Sequence, residues 1–144
     1  MKLKTIFLFL STLLIFSCGV KNVEEISETH PDGSPKLIKV YQVKGDVKEL
    51  VKETQYYPNH NKFYEGAFKE NKKDGDWTVW YENGNVWSEG SYDKGLDDGK
   101  RQAYYENGVT HFTGQYKKGK MTGTWKFYDE KGNLTNEIDY DKKK

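Results

Sequence analysis

Cysteine is almost absent: the 144-residue chain has one, Cys18, which excludes an intrachain disulfide and any multi-cysteine metal site. Histidine is scarce as well, limited to His30, His60 and His111, with no His-x-x-x-His pair to suggest a metal centre. Charge of one sign is also missing. The 23 basic and 22 acidic residues nearly cancel, and removal of a leader carrying Lys2 and Lys4 leaves 21 against 22. Nucleic acid, which is held by basic side chains that neutralise phosphates, is therefore not expected as a partner. Beyond the Lys142-Lys143-Lys144 tail the linear sequence shows no polybasic run. Leu, Ile and Val are sparse after residue 55, so that region cannot build a thick two-layer aliphatic core.

The longest apolar run that remains is at the N-terminus. Lys2 and Lys4 precede Ile6 to Phe16, an apolar stretch broken only by Ser11 and Thr12, and Ser17-Cys18-Gly19 follows. A charged start, a short apolar helix and a small-residue site make a secretory signal, too short for a permanent span. Leu14-Ile15-Phe16-Ser17-Cys18 resembles a bacterial lipobox. That resemblance implies a lipidated thiol on Cys18, export, and a mature protein held on a membrane of the cell envelope. Residues 1–17 are then the signal peptide, and 18–30 the lipidated cysteine with a flexible tether. One acyl chain holds a protein only marginally, so a durable anchor needs more than one.

What the chain has in abundance is rings and glycines. Of its 22 aromatic residues, 18 lie between Tyr56 and Tyr140 within a polar background, and each ring buries roughly 150–250 Å² when packed. A thin sheet faced with rings fits that composition. The glycines recur at 24 residues: Gly75, Gly99 and Gly123; Gly84, Gly108 and Gly132; Gly66, Gly90 and Gly114. A repeat of that length with its own turn residues is an array of β-hairpins. Residues 51–144 form its clear part, and His30-Pro31-Asp32-Gly33 opens a fainter first copy over 31–50, giving about four and a half units.

Within a unit, Trp77, Val79 and Tyr81 alternate with Thr78 and Trp80, as the two faces of a strand require. Asn83-Gly84 and Asn107-Gly108 predict two-residue type I′ turns, because both central residues of that turn need positive φ. The segments Lys69–Asp74, Asp93–Asp98 and Lys117–Thr122 read as longer linkers between hairpins. Gly66, Gly90 and Gly114, inside strands, read as slots in which a neighbouring ring lies flat.

The spacing Gly-x-Trp-x-x-Trp/Tyr-Tyr-x-Asn-Gly followed by Glu-Gly-x-Tyr-x-x-Gly resembles the MORN repeat, in its bacterial variant. The resemblance implies an all-β protein: a single-layer, twisted antiparallel meander of hairpins, preceded here by the signal helix. It also implies a noncatalytic scaffold or interaction surface, often linked to membranes. Some members are labelled antitoxins of the YwqK type, which makes an antitoxin-like partner-binding role an alternative. Arg101 in place of a tryptophan, Ile138 in place of a glycine and His60 in place of a turn glycine depart from the pattern and predict fraying at the ends.

Catalytic chemistry finds little support. There is no phosphate loop and no nucleophile elbow, and Asp97-Asp98 reads as a pair of solvated turn carboxylates. No cofactor or metal is called for. Trp77, Trp80, Trp87, Tyr104, Trp125 and Tyr128 are the candidate binding surface, with Trp80, Tyr104 and Tyr128 recurring on one face. The expected partners are the membrane, through the lipid, and another envelope protein; a glycan or cell-wall polymer stacked on the rings is the alternative.

Overall fold

Strict alternation with a turn every ten residues or so leaves each strand's neighbours in sequence as its neighbours in space. The computed structural model describes residues 19–142. The expected signal helix and Cys18 lie outside them. Ten strands follow one another: β1 (Lys21–Thr29), β2 (Pro35–Lys44), β3 (Val47–Tyr56), β4 (Lys62–Lys69), β5 (Lys72–Trp80), β6 (Val86–Asp93), β7 (Leu96–Tyr104), β8 (Thr110–Lys117), β9 (Lys120–Tyr128) and β10 (Leu134–Asp139). They form one antiparallel sheet in order β1 to β10, without a crossover. The single-layer meander is as expected. The segment read as a flexible tether is not: its residues 21–29 are β1, paired with β2 from Lys21 opposite Val43 to Thr29 opposite Pro35. The array therefore has five hairpins.

The two kinds of turn are exchanged relative to expectation. At Tyr81–Asn85 the N–H of Gly84 donates to Tyr81 O (2.9 Å) and that of Tyr81 to Asn85 O (2.8 Å). Only Gly84 has positive φ, +89°. This is a three-residue loop, a type I turn followed by a left-handed residue. Asn83 stays right-handed because its Oδ1 accepts the Asn85 N–H at 2.8 Å. The same bonds close the loops from His30, Tyr57, Tyr105 and Asp129. In the second of these His60 takes the glycine's place at φ +69°. The two-residue turns are instead Gly45-Asp46, Glu70-Asn71, Lys94-Gly95 and Lys118-Gly119; in the last three both residues have φ between +50° and +88°, the type I′ signature. The supposed linkers are the tight turns.

The row of residues paired across the middle of the sheet runs Gly66, Trp77, Gly90, Arg101, Gly114. Each large side chain leans back over the glycine of the preceding strand. A Cβ on Gly66 would stand 2.0 Å from Cδ2 of Trp77, and one on Gly114 2.1 Å from Cδ2 of Trp125. The slots are real, and they are one-sided. That explains Ile138: it pairs with Trp125 from the other flank, where no ring has to lie. At Gly90 the slot holds no ring; the Cδ of Arg101 occupies it.

Candidate functional site

Register gives the sheet two unlike faces. One carries the row Tyr64, Val79, Ser88, Ala103, Phe112, Phe127 beside the glycine–tryptophan row. Trp77 stacks on Tyr64 at 5.7 Å and meets Phe68 and Tyr92 edge-on at 5.3 and 6.0 Å. The ammonium of Lys73 sits 3.9 Å above the Trp77 ring, a favourable cation–π placement. Trp125 gathers Phe112, Tyr116 and Tyr140 in the same way, at 5.6, 5.2 and 6.2 Å. Both indole N–H groups are satisfied, by Ala67 O (3.0 Å) and Gln115 O (3.3 Å).

The opposite face carries a polar row: Thr54, Glu65, Thr78, Glu89, Gln102, Thr113, Lys126, Glu137. Burial works against the Glu65 carboxylate. Bonds from Lys62 (2.8 Å), Lys52 (3.0 Å) and Thr54 (3.0 Å) outweigh it and hold the pKa below the usual value. The Tyr104 O–H donates to Glu89 at 2.9 Å. Burial first, and then that bond and the charge behind it, push the Tyr104 pKa up to about 12.

The six candidate rings do not form one surface. Trp80, Tyr104 and Tyr128 share the polar face by strand alternation and are half-buried. Trp77 and Trp125, 6% and 2% exposed, belong to the opposite face and are packing centres, unavailable to a ligand. Trp87 is the surprise. It is the extra residue between Val79–Ser88 and Trp80–Val86, and such a bulge re-aims a side chain. Its ring lies 5.8 Å from Tyr81 on the aromatic side and is 46% exposed. Phe63 and His111 repeat the position, 5.0 Å from Tyr57 and 4.5 Å from Tyr105. The turn glycines Gly84, Gly108 and Gly132, and the strand glycines Gly75, Gly99 and Gly123, all have positive φ.

Several contributors were not singled out from sequence. The second ring of each adjacent aromatic pair stitches repeats together: Tyr57 O–H donates to Trp80 O, Tyr81 O–H to Tyr104 O and Tyr105 O–H to Tyr128 O, at 2.8–2.9 Å. His30 Nε2 meets Tyr56 O at 3.1 Å in the equivalent place. Along the same rim Asn61 and Asn85 donate to the carbonyls of Glu82 and Glu106 at 2.8 Å. At the other rim Asp74 and Asp98 accept the turn amides of Lys94 and Lys118 at 3.2 and 3.1 Å. Asp98 is thus an inter-repeat clasp. The recurrence of Tyr57, Tyr81 and Tyr105 at 24 residues carried this signal. Among the described residues no three His, Cys, Asp or Glu side chains come together as a metal group.

With this geometry in place, comparison with known families matches residues 73–94, 97–118 and 121–142 to the MORN repeat variant. Those three segments are successive units of the sheet, β5 to β10 with their loops. Comparison with curated proteins gives no match.

Proposed function

We propose that this chain of MORN repeats is a noncatalytic interaction scaffold, tethered to an envelope membrane through a lipidated Cys18, that receives a partner protein on its aromatic face. The observation that carries the reading is that among the described residues the ten strands form one sheet with no second layer on it, and its ring-covered face is left with Trp87 46% exposed beside the half-buried Phe63, Tyr64 and Val79. Apolar rings outside a closed core are what an interface needs at its centre. MORN repeats in general serve protein and membrane interaction, which agrees.

The test is affinity capture from envelope extract with wild-type protein and with Trp87→Ala/Phe63→Ala. The expected result is a discrete partner held by the first and lost with the second. A partner held equally by both would move the interface off this face. Export with acylation is checked separately, by the mass of the mature N-terminal peptide and its change in Cys18→Ala.

A second reading has one observation in its favour. Trp80, Tyr104 and Tyr128 recur on alternate strands beside the hydroxyl, carboxyl and amide groups of Thr78, Glu89 and Gln102, an arrangement of plates and polar groups suited to a glycan chain. Cell-wall polymer binding that disappears in Trp80→Ala/Tyr104→Ala would establish it; binding unchanged by that pair would dismiss it.

A further inference from the structure

The turns distribute charge in a way the linear sequence conceals. The tight-turn rim consists of Lys44–Val47, Lys69–Lys72, Asp93–Leu96 and Lys117–Lys120. It holds seven lysines, Lys44, Lys69, Lys72, Lys94, Lys117, Lys118 and Lys120, against Asp46, Glu70 and Asp93. The five loops of the opposite rim, 30–34, 57–61, 81–85, 105–109 and 129–133, hold Asp32, Glu82, Glu106, Asp129 and Glu130 against Lys131. A strand of nine residues separates the rims by about 30 Å. The screening length at physiological salt is about 8 Å, so an approaching surface responds to one rim at a time.

The lysines of the tight-turn rim are free to act outward. All seven are exposed, and among the described residues none is in an ion pair. The rim's own Asp46, Glu70 and Asp93 are exposed, whereas Glu49, Asp74, Asp97, Asp98 and Asp141 beside it are engaged within the sheet. Glu49 accepts the Glu70 N–H at 2.8 Å, Asp74 and Asp98 accept the Lys94 and Lys118 amides, and Asp97 faces Arg101 at 3.4 Å.

Two further observations fall on the same rim. Val20, Val47 and Leu96 project there, 56%, 67% and 52% exposed, set among the lysines. The chain also enters the sheet there: Lys21, the first residue of β1, pairs with Val43, next to the Lys44–Val47 turn. Residues 1–18, with the apolar run and Cys18, therefore connect to the basic rim and not to the acidic one.

We propose that the tight-turn rim is a membrane-docking edge for an anionic bilayer, with the sheet standing on it. Lysines meet the lipid phosphates, Val20, Val47 and Leu96 enter the interfacial layer, and the acidic rim points away. The proposal deepens the membrane tether above and rests on that reading for its biological setting. A single acyl chain is a marginal anchor, and a basic patch beside it supplies the second signal that durable attachment needs. It also fixes an orientation in which both faces of the sheet stand clear of the bilayer for a partner.

The test separates the rim from the lipid by using residues 19–144, which retain all ten strands and every pairing between them. Co-sedimentation is measured with vesicles of phosphatidylcholine alone and with added phosphatidylglycerol. The expected result is binding to the anionic vesicles only, weakened by salt. Each lysine near such a surface is worth about 1 kcal/mol, roughly fivefold in partitioning. The variant Lys69→Gln/Lys72→Gln/Lys117→Gln/Lys120→Gln should therefore bind at least about 50-fold more weakly. Replacing the same four by arginine should leave binding at the wild-type level. Lys36→Gln/Lys100→Gln/Lys126→Gln/Lys131→Gln, with the same change in net charge away from the rim, should also bind close to wild type. No binding to anionic vesicles, equal binding to neutral ones, or equal loss in the two glutamine variants would overturn the proposal. Were the rim to fail while the exported full chain carried acyl mass on Cys18, the anchor would stand without it; a binding rim on an unacylated export product would leave the rim standing without the anchor.

Discussion

The repeats centred on Trp77 and Trp125 differ from the one between them, centred on Arg101, in a way that shows what holds a single-layer sheet together. In the outer two, a rigid indole lies over a glycine and stacks on Tyr64 or Phe112. In the middle one the residue over Gly90 is a flexible arginine, and the stacking position holds Ser88. Arg101 reaches Tyr92 Oη and Asp97 at 3.4 Å instead. Ring, slot and stacking partner therefore change as a set. The sharpest way to break the comparison is to fill the slots. Gly114→Ala puts a methyl 2.1 Å from the Trp125 ring, a clash that only expulsion of the indole relieves. Its cost should approach that of deleting a buried tryptophan, about 3–5 kcal/mol. Gly90→Ala meets the Arg101 Cδ at 2.8 Å and Nη1 at 3.0 Å, atoms near the end of a flexible chain, and should cost about 1 kcal/mol or less. Denaturant unfolding followed by circular dichroism measures both, and equal costs would refute the distinction. Because repeats contact only their neighbours, hydrogen exchange should place the Gly114→Ala loss in β8 to β10 first.

Making the middle repeat like its neighbours is the next largest effect. Arg101→Trp would lay an indole over Gly90 with Tyr92 and Tyr116 at its edges, contacts worth about 0.5–1.5 kcal/mol. The expected outcome is a higher unfolding midpoint. A lower midpoint would mean that the bonds of Arg101 to Tyr92 and Asp97 matter more than the ring. Smaller again are the rim stitches. Tyr81→Phe removes one hydrogen bond, to Tyr104 O, and keeps the ring against Trp87; about 1 kcal/mol is expected. Tyr105→Phe should cost the same, since its bond to Tyr128 O is equivalent.

How much of this is legible in the sequence depends on whether the signal is periodic or geometric. The 24-residue recurrence carries the hairpins, the meander and the glycine slots, because sheet alternation and the space a ring needs are local consequences of residue type. Turn type is not legible in the same way. Asn-Gly is permissive for a type I′ turn, but Asn83 uses its side chain to cap Asn85 and so stays right-handed, while Lys94 and Lys118 accept φ near +50° because carboxylates of the preceding repeat hold their amides. Those partners lie 20 residues away, beyond any local rule. The division of the candidate rings between the two faces is legible only in part, for a related reason. Parity along a strand places Trp77 and Trp80 on opposite faces, yet Trp87 crosses to the aromatic side through a bulge that no local composition marks. The basic rim is invisible in the linear chain because its lysines are scattered through 77 residues of sequence, from Lys44 to Lys120, and become neighbours only when the turns align.

The smallest effect separates the two faces by titration. Tyr64, on the aromatic face, is pushed up to about 12 by burial and then by the charge of Glu53, whose Oε2 its hydroxyl meets at 3.4 Å. Tyr104, on the polar face, reaches about 12 through burial and then its 2.9 Å bond to Glu89. Both folded values lie above the ordinary value of 10.0, so the native state favours the protonated phenol. Their contribution to stability is whole below pH 10 and is lost as pH rises from there towards 12, since the unfolded chain ionises first. Glu89→Gln removes the carboxylate charge facing Tyr104 while leaving its burial intact, so the tyrosinate absorbance step of Tyr104 should move down towards 10 and that of Tyr64 should stay in place. Glu53→Gln should do the reverse, by less, because the 3.4 Å contact is longer than the 2.9 Å one. If neither substitution moved its own tyrosine, both shifts would belong to burial alone, and the carboxylates would have no share in setting the two faces apart.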